Sequence, residues 1–359
     1  LTGVTAGMNN YQYRCNVSGA APCGSLTSGS GTLTVNTSPV INSQPSASTI
    51  CETSNAAFSI TATGTSLTYQ WQVSIPGCAG PWNNLVNGAP YSGVTTPTLT
   101  ITAASAAMNG YGFRCVVSGT CSPAATSNCG LLTVNTAIGI SAQPGNAVAC
   151  AGTNTTFSVV ATGTSPTYQW QESTNGGGSW NNVTNGGIYG GANTATLTLT
   201  GVTAGMNNNQ YRCIVSGAAP CGSLTSGSGT LTVNTSPVIN SQPSASTICA
   251  AQNTTLSVSA AGTAITYQWQ VSTTGCGGTF NNITNGAPYS GATTATLTIT
   301  AAANTLNGNA YRCVVSGTCV PAANSNCVLL TVNTPVSIST QPVTTTFGAG
   351  ATATFSVVA

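Results

Sequence analysis

Few residues in this chain of 359 can do chemistry. Fifteen are cysteines, four are arginines (Arg14, Arg114, Arg212, Arg312) and two are glutamates (Glu52, Glu172). Histidine, aspartate and lysine are absent. General acid–base catalysis draws on His, Glu, Asp or Lys, and two glutamates that are 120 residues apart do not supply it. A Ser–His–Asp triad cannot be assembled. Calcium loops need several carboxylates, and catalytic zinc sites usually need histidine. Nucleic acid needs a basic patch. The inventory points away from an enzyme, from a metal or other cofactor and from a nucleic-acid partner. The chemistry left is that of cysteine. With no histidine and no CxxC pair, the zinc reading fails on spacing, and the reading is disulfides in an oxidising compartment.

The rest of the composition bounds the fold. Only 2% of residues are charged, where a soluble domain usually carries about 25%. Hydrophobic residues make up 41%, enough to bury a core. The polar remainder is Thr, Ser, Asn, Gln and Gly. No apolar run approaches the roughly 18 residues of a membrane helix. No charged leader followed by an apolar stretch opens the chain.

The elements that must position the cysteines belong to an internal repeat. LTGVTAGMNN at 1–10 returns at 199–208, an offset of 198 residues. Inside it sits a weaker repeat of half that length: Trp71, Trp170 and Trp269 are 99 apart, as are Cys51, Cys150 and Cys249. The expected organisation is a partial unit (1–37), a five-Cys domain (38–136), a three-Cys domain (137–235), a second five-Cys domain (236–334) and a partial unit (335–359). Short linkers between TVNT and QP predict a stiff rod. The incomplete end units predict a window from a longer repetitive polypeptide.

Within residues 38–136, Phe58, Ile60 and Ala62 alternate with polar residues, as do Tyr69, Trp71 and Val73. Phe113, Cys115 and Val117 alternate with Arg114 and Val116, and TLTIT and LLTVN follow the same period of two. That is strand chemistry, with turn residues between the runs. The fold class is all-β, a tandem array of sandwiches of about seven to nine short strands each.

This layout resembles an immunoglobulin-like domain. The buried tryptophan of the third strand is Trp71, repeated as Trp170 and Trp269. An aromatic two residues before cysteine marks the sixth strand: Phe113–Cys115, Tyr13–Cys15, Tyr211–Cys213 and Tyr311–Cys313. These tryptophans, with Cys115, Cys213, Cys313, Tyr211 and Tyr311, are the expected core. More narrowly, YQWQ…TLTIT…YRC-x-VSG…LTV is similar to the tandem immunoglobulin-like repeats of giant secreted or surface adhesin-type proteins of Bacteroidota and related bacteria. The resemblance implies an extracellular adhesin, stalk or filament. One departure stands out. The second-strand cysteine of the usual inter-sheet bridge is replaced by Ile60, Val159 and Val258.

In that topology the turn after the first strand lies at the C-terminal pole of a domain, and the loop after the sixth strand lies at the N-terminal pole. Cys51 should therefore face Cys221 of the next domain, and Cys150 should face Cys319. The same two positions within one domain lie a seven-residue strand apart, about 23 Å, beyond the roughly 7 Å between Cα atoms that a disulfide allows. The competing arrangement pairs the early cysteine with the sixth-strand cysteine of its own domain, as in Cys150–Cys213. Cys78, Cys129, Cys276 and Cys327 occur only in the five-Cys variant, which points to Cys78–Cys129 and Cys276–Cys327, within one chain or between neighbours. The sixth-strand cysteines then remain buried thiols.

Arg114 and its counterparts Arg14, Arg212 and Arg312 are expected to point outward. Each would lie over Gln70, Gln72 or Trp82 and their equivalents, in part by cation–π contact, rather than form a ligand-binding ladder. Trp82, Trp180 and Phe280 read as edge-strand packing. The sequons Asn16, Asn36, Asn154, Asn182, Asn234, Asn253 and Asn282 could carry glycans. The expected function is a structural extracellular array forming or belonging to a bacterial cell-surface filament. Self-association would be favoured by a surface almost without charge. The alternative is the stalk of an adhesin that binds carbohydrate or another surface through further domains.

Overall fold

A computed structural model describes residues 1–359 of the chain. It is all-β, with no α-helix and four single 3-10 turns. Three sandwiches of the same design follow one another, built on residues 40–135, 139–234 and 238–333. In the first, one sheet runs in the order Trp82–Asn84, Thr68–Ser74, Gly112–Ser118, Gly130–Asn135, Ser48–Cys51. The facing sheet runs Tyr91–Ser92, Thr98–Ile101, Ala56–Ser59. The pair Thr68–Ser74 and Gly112–Ser118 forms the spine, seven residues in antiparallel register with Trp71 opposite Cys115. All pairings are antiparallel except one per domain: Ser48–Cys51 runs parallel to Gly130–Asn135.

The sequence pattern over Phe58, Ile60 and Ala62 reads as one strand. The structure breaks it at Ile60. Ala56–Ser59 pairs with Thr98–Ile101, and Thr61–Thr63 pairs instead with Val40–Ser43 across a register shift between Ile41 and Ser43. The extra residue lies in Val40–Ser43, which bends that strand, and the two halves of the Phe58–Ala62 run serve different partners. The alternation survives because Phe58 and Ile60 both reach the same core.

Each sandwich has its own core, clusters of 17, 15 and 14 buried residues. Trp71, Trp170 and Trp269 are fully buried at their centres. A buried indole N–H needs an acceptor, and each finds the same one: Trp71 Nε1 donates to Thr96 O, Trp170 Nε1 to Thr194 O and Trp269 Nε1 to Thr294 O. The tight turn that presents this carbonyl uses a glycine of positive φ, Gly93, Gly191 or Gly291.

The flanking segments are less developed. Residues 1–37 make two short hairpins, Gln12–Tyr13 with Gly31–Thr32 and Asn16–Ser18 with Ser25–Thr27. Tyr13 and Cys15 are exposed. Residues 335–359, expected to hold the first strands of a unit, show only the bridge Thr340 to Val358. Two strands alone are marginal, and this segment has no third- or sixth-strand partner in the chain.

Gly191→Ala is expected to destabilise the middle sandwich by about 2 kcal/mol or more, because φ there is +72° and a Cβ would meet the Thr196 carbonyl. Gly205→Ala, where a Cβ would meet only Thr203 Oγ1 at an ordinary contact distance of 3.9 Å, should be near neutral. Calorimetric melting of the two variants checks this.

Candidate functional site at the stapled junctions

The cysteines divide into three groups by position. The first joins successive sandwiches. Parallel pairing places Cys51 opposite Asn135, the last strand residue before the linker, and Cys150 opposite Asn234 in the same way. Each cysteine therefore sits at the exit pole of its domain, beside the chain that enters the next one. There it meets the loop after the sixth strand. Cys51 is bonded to Cys221 with Cα atoms 5.0 Å apart, and Cys150 to Cys319 with Cα atoms 5.8 Å apart. The loops closed span 170 and 169 residues of sequence.

Polar contacts reinforce these junctions. The buried Asn135 side chain donates Nδ2–H to Ala219 O across the first junction. Glu52 accepts from the Ala137 N–H at 3.0 Å, again across the junction. At the second junction the position of Glu52 is Ala151, so no carboxylate acts there. A third contact recurs at every unit. The linker N–H of Thr37, Thr136 and Thr235 donates to the hydroxyl of Thr65, Thr164 and Thr263, at 3.0, 2.8 and 2.9 Å. Each linker is thus tied to the domain it enters, and its entry angle is set by hydrogen bonds as well as by the disulfide.

The second group, Cys78–Cys129 and Cys276–Cys327, bonds within the five-Cys domains, each over 51 residues. In the first sandwich a Cβ at Gly112 would strike the Gly77 backbone and the Cys129 sulfur, whereas the third sandwich carries Ala310 at this position beside Cys276–Cys327.

The third group is free. Cys115, Cys213 and Cys313 are wholly buried against the tryptophans. Cys150 is bonded elsewhere, so Cys213 has no partner. Burial pushes all three thiols up to about 11. Cys15, Cys23 and Cys249 are exposed and Cys121 is partly so.

The arginines make a second repeated arrangement. Arg114 lies 4.2 Å from the Trp82 ring centroid, Arg212 the same from Trp180, and Arg312 the same from Phe280. Each Nε–H donates to a glutamine on the neighbouring strand, Gln72, Gln171 or Gln270. That glutamine in turn donates to Asn84, Asn182 or Asn282. The guanidinium, the ring and two amides lock the short edge strand to the sheet. Arg14 sits in a flanking hairpin and has no such ring in this chain.

Sequence reasoning missed what the glutamates do. Glu52 holds the first junction. Glu172 replaces the valine of the other domains and lies partly buried, where Oε1 accepts from Tyr189 OH, Tyr211 OH and Asn209 Nδ2 at 2.7 to 2.9 Å. Burial, first, and the Glu172 carboxylate push the Tyr189 hydroxyl up to about 12 against the opposing hydrogen bond with Tyr211, and Tyr211 is driven higher still. A lone glutamate in a strand carries no signal of this role unless its two tyrosines are known to converge on it. Among the sequons, Asn154, Asn182, Asn253 and Asn282 are exposed and Asn234 is half-buried. Asn154 and Asn253 already accept a backbone N–H, from Gly201 and Ala301.

The arrangement fixes one domain against the next and leaves the buried thiols chemically quiet. Iodoacetamide applied to the native chain at pH 8 should label Cys15, Cys23, Cys121 and Cys249 but spare Cys115, Cys213 and Cys313. Peptide mass spectrometry after unfolding gives the count. The same shifts set a pH profile. A thiol held protonated in the fold contributes stability that is intact below its unfolded value, about 8.5, and is lost as pH rises towards 11. With exposed thiols blocked, the melting temperature should be level from pH 5 to 8 and fall above about 8.5.

Comparison with known proteins places this geometry. No curated protein matches the chain. Among solved structures, the three-domain fragment I67–I69 of titin in an E-to-A mutated variant superposes with a TM-score of 0.62 at 16% identity, covering 83% of this chain and 99% of that one. The I-band fragment I67–I69 from titin superposes equally well at 15% identity, covering 82% and 99%. At these identities the likeness speaks for the fold: three successive immunoglobulin-like sandwiches. A family model described as "Domain of unknown function (DUF8696)" matches residues 140–235 and again 238–334. With more than half its length matched in two consecutive copies, the chain belongs to the DUF8696 family as a tandem array of immunoglobulin-like domains.

Proposed function

We propose that the chain is a structural extracellular element, a stiff run of immunoglobulin-like domains that forms or belongs to a bacterial cell-surface filament. The observation that carries this reading is the disulfide across each junction between complete sandwiches, Cys51–Cys221 and Cys150–Cys319. A bond placed between domains fixes their relative position. It does nothing for turnover or for ligand contact. Such bonds persist in oxidising compartments, which supports a location outside the cell. No helix is long and apolar enough to cross a membrane. The bacterial assignment comes from the resemblance of the repeat pattern.

Two features support self-association over an isolated thread. The surface has almost no charge to keep copies apart. Apolar side chains also stand exposed at recurring places: Val40 and Val238 at 56% and 58%, and Leu131 and Leu329 at 39% and 45%. Identical patches along one chain multiply weak contacts through effective concentration. Glycans on the exposed sequons would be compatible with this packing only where the patches stay uncovered.

The reading of a stalk for an adhesin uses the same staples but needs no lateral contact. Light scattering of the purified chain over a hundredfold concentration range separates the two. The filament reading expects mass to rise with concentration, and electron micrographs to show fibres with an axial repeat of one or two domains. A chain that stays monomeric at the highest concentration overturns it in favour of the stalk.

A further inference from the structure

The pattern of bonds at the junctions has a mechanical meaning beyond stiffness. Two covalent lines run side by side through the middle sandwich. One leaves the first sandwich by its last strand, Gly130–Asn135, crosses the peptide linker and follows Gly139–Ala142 and Ala147–Cys150. It then passes through Cys150–Cys319 into the third sandwich. The other leaves the first sandwich at Cys51 and passes through Cys51–Cys221. It follows Ser223–Thr225 and Gly229–Asn234 to the next peptide linker. Within the middle sandwich the two lines are direct neighbours, paired in parallel with Ala147 opposite Leu231 and Cys150 opposite Asn234. Everything between Cys150 and Cys221, including the Trp170 strand and the whole facing sheet, hangs off both lines as a loop.

We propose that the staples make the array an extension-limited, doubly carried tether, in which tension passes along the paired second and last strands while the rest of the middle sandwich bears none. This rests on the structural reading above. Each junction between complete sandwiches is spanned twice, once by a peptide bond and once by a disulfide, so a single break at a junction does not part the chain. Unfolding the middle sandwich adds almost no length, because its central residues lie off both routes. The intradomain bonds act in the same sense: Cys78–Cys129 and Cys276–Cys327 each remove a 51-residue loop from the path. From Cys51 the shortest covalent route to Cys327 runs through Cys221 and Cys276 and counts about 55 residues instead of about 280, which is roughly 190 Å at full extension against roughly 970 Å.

Single-molecule stretching of the full chain, held at its two ends, tests this. The oxidised chain should reach a contour of roughly 480 Å and stop, about 2.6-fold short of the roughly 1,250 Å of the reduced chain. The variant Cys221→Ser/Cys319→Ser, which keeps the intradomain bonds, should reach roughly 900 Å. An oxidised wild-type contour equal to that of the variant overturns the proposal. A second arm does not depend on the variant folding. A protease site inserted between Thr235 and Ser236 is cut in the oxidised chain, which should stay one species on a denaturing gel without reductant and become two with it. Halves that separate without reductant overturn the proposal. Neither arm depends on self-association, so a monomeric chain with a short contour would sink the filament and leave the tether, and the reverse outcome would do the opposite.

Discussion

The parallel pairing of each domain's second strand with its last strand is the constraint on which the rest depends. In the middle sandwich it sets Cys150 beside Asn234, one residue from the linker. An antiparallel partner would point the cysteine to the opposite pole. With the parallel one, the cysteine and the departing chain reach the same place together. The next domain then has to present its sixth-strand loop there. That is where Cys319 lies, and in the first junction Cys221. The linker threonines add a hydrogen bond to the incoming domain, so position and angle are fixed by separate interactions.

Stability in this chain comes from sources that neither salt nor pH near neutrality disturbs. Burial of the tryptophan-centred cores supplies the apolar term. The disulfides reduce the freedom of the unfolded chain. Five of the six charged residues, all but Arg14, are absorbed into specific contacts. Three arginines stack on aromatic rings, Glu172 is held by two phenols and an amide, and Glu52 caps a junction amide. Local electrostatics therefore serve packing, and almost nothing is left over for long-range repulsion.

Much of the architecture was legible in the sequence because periodicity is a local property. Alternating Tyr69, Trp71 and Val73 announce a strand whatever surrounds them. The 99-residue spacing of Trp71, Trp170 and Trp269 counts the domains. The outward position of Arg114 follows from its place between Phe113 and Cys115. The break at Ile60 was not legible, since a strand that changes partners keeps the same alternation. The near-absence of strands in 335–359 also escaped, because pattern alone does not say whether the partners that complete a sheet are present.

The sequence by itself determined the fold class, the repeat, the buried tryptophans and the scarcity of titrating groups, all of which depend on residue type and spacing. It also showed cysteine as the main reactive residue, fifteen in all. Only the tertiary structure decided which thiols meet, because a disulfide depends on Cα atoms coming within a few ångströms across sequence separations of 170 and 169. The roles of Glu52 and Glu172 were settled in the same way. Each partner group, the Ala137 amide for one and Tyr189, Tyr211 and Asn209 for the other, is brought close by strands that are distant in sequence, and no local pattern records that approach.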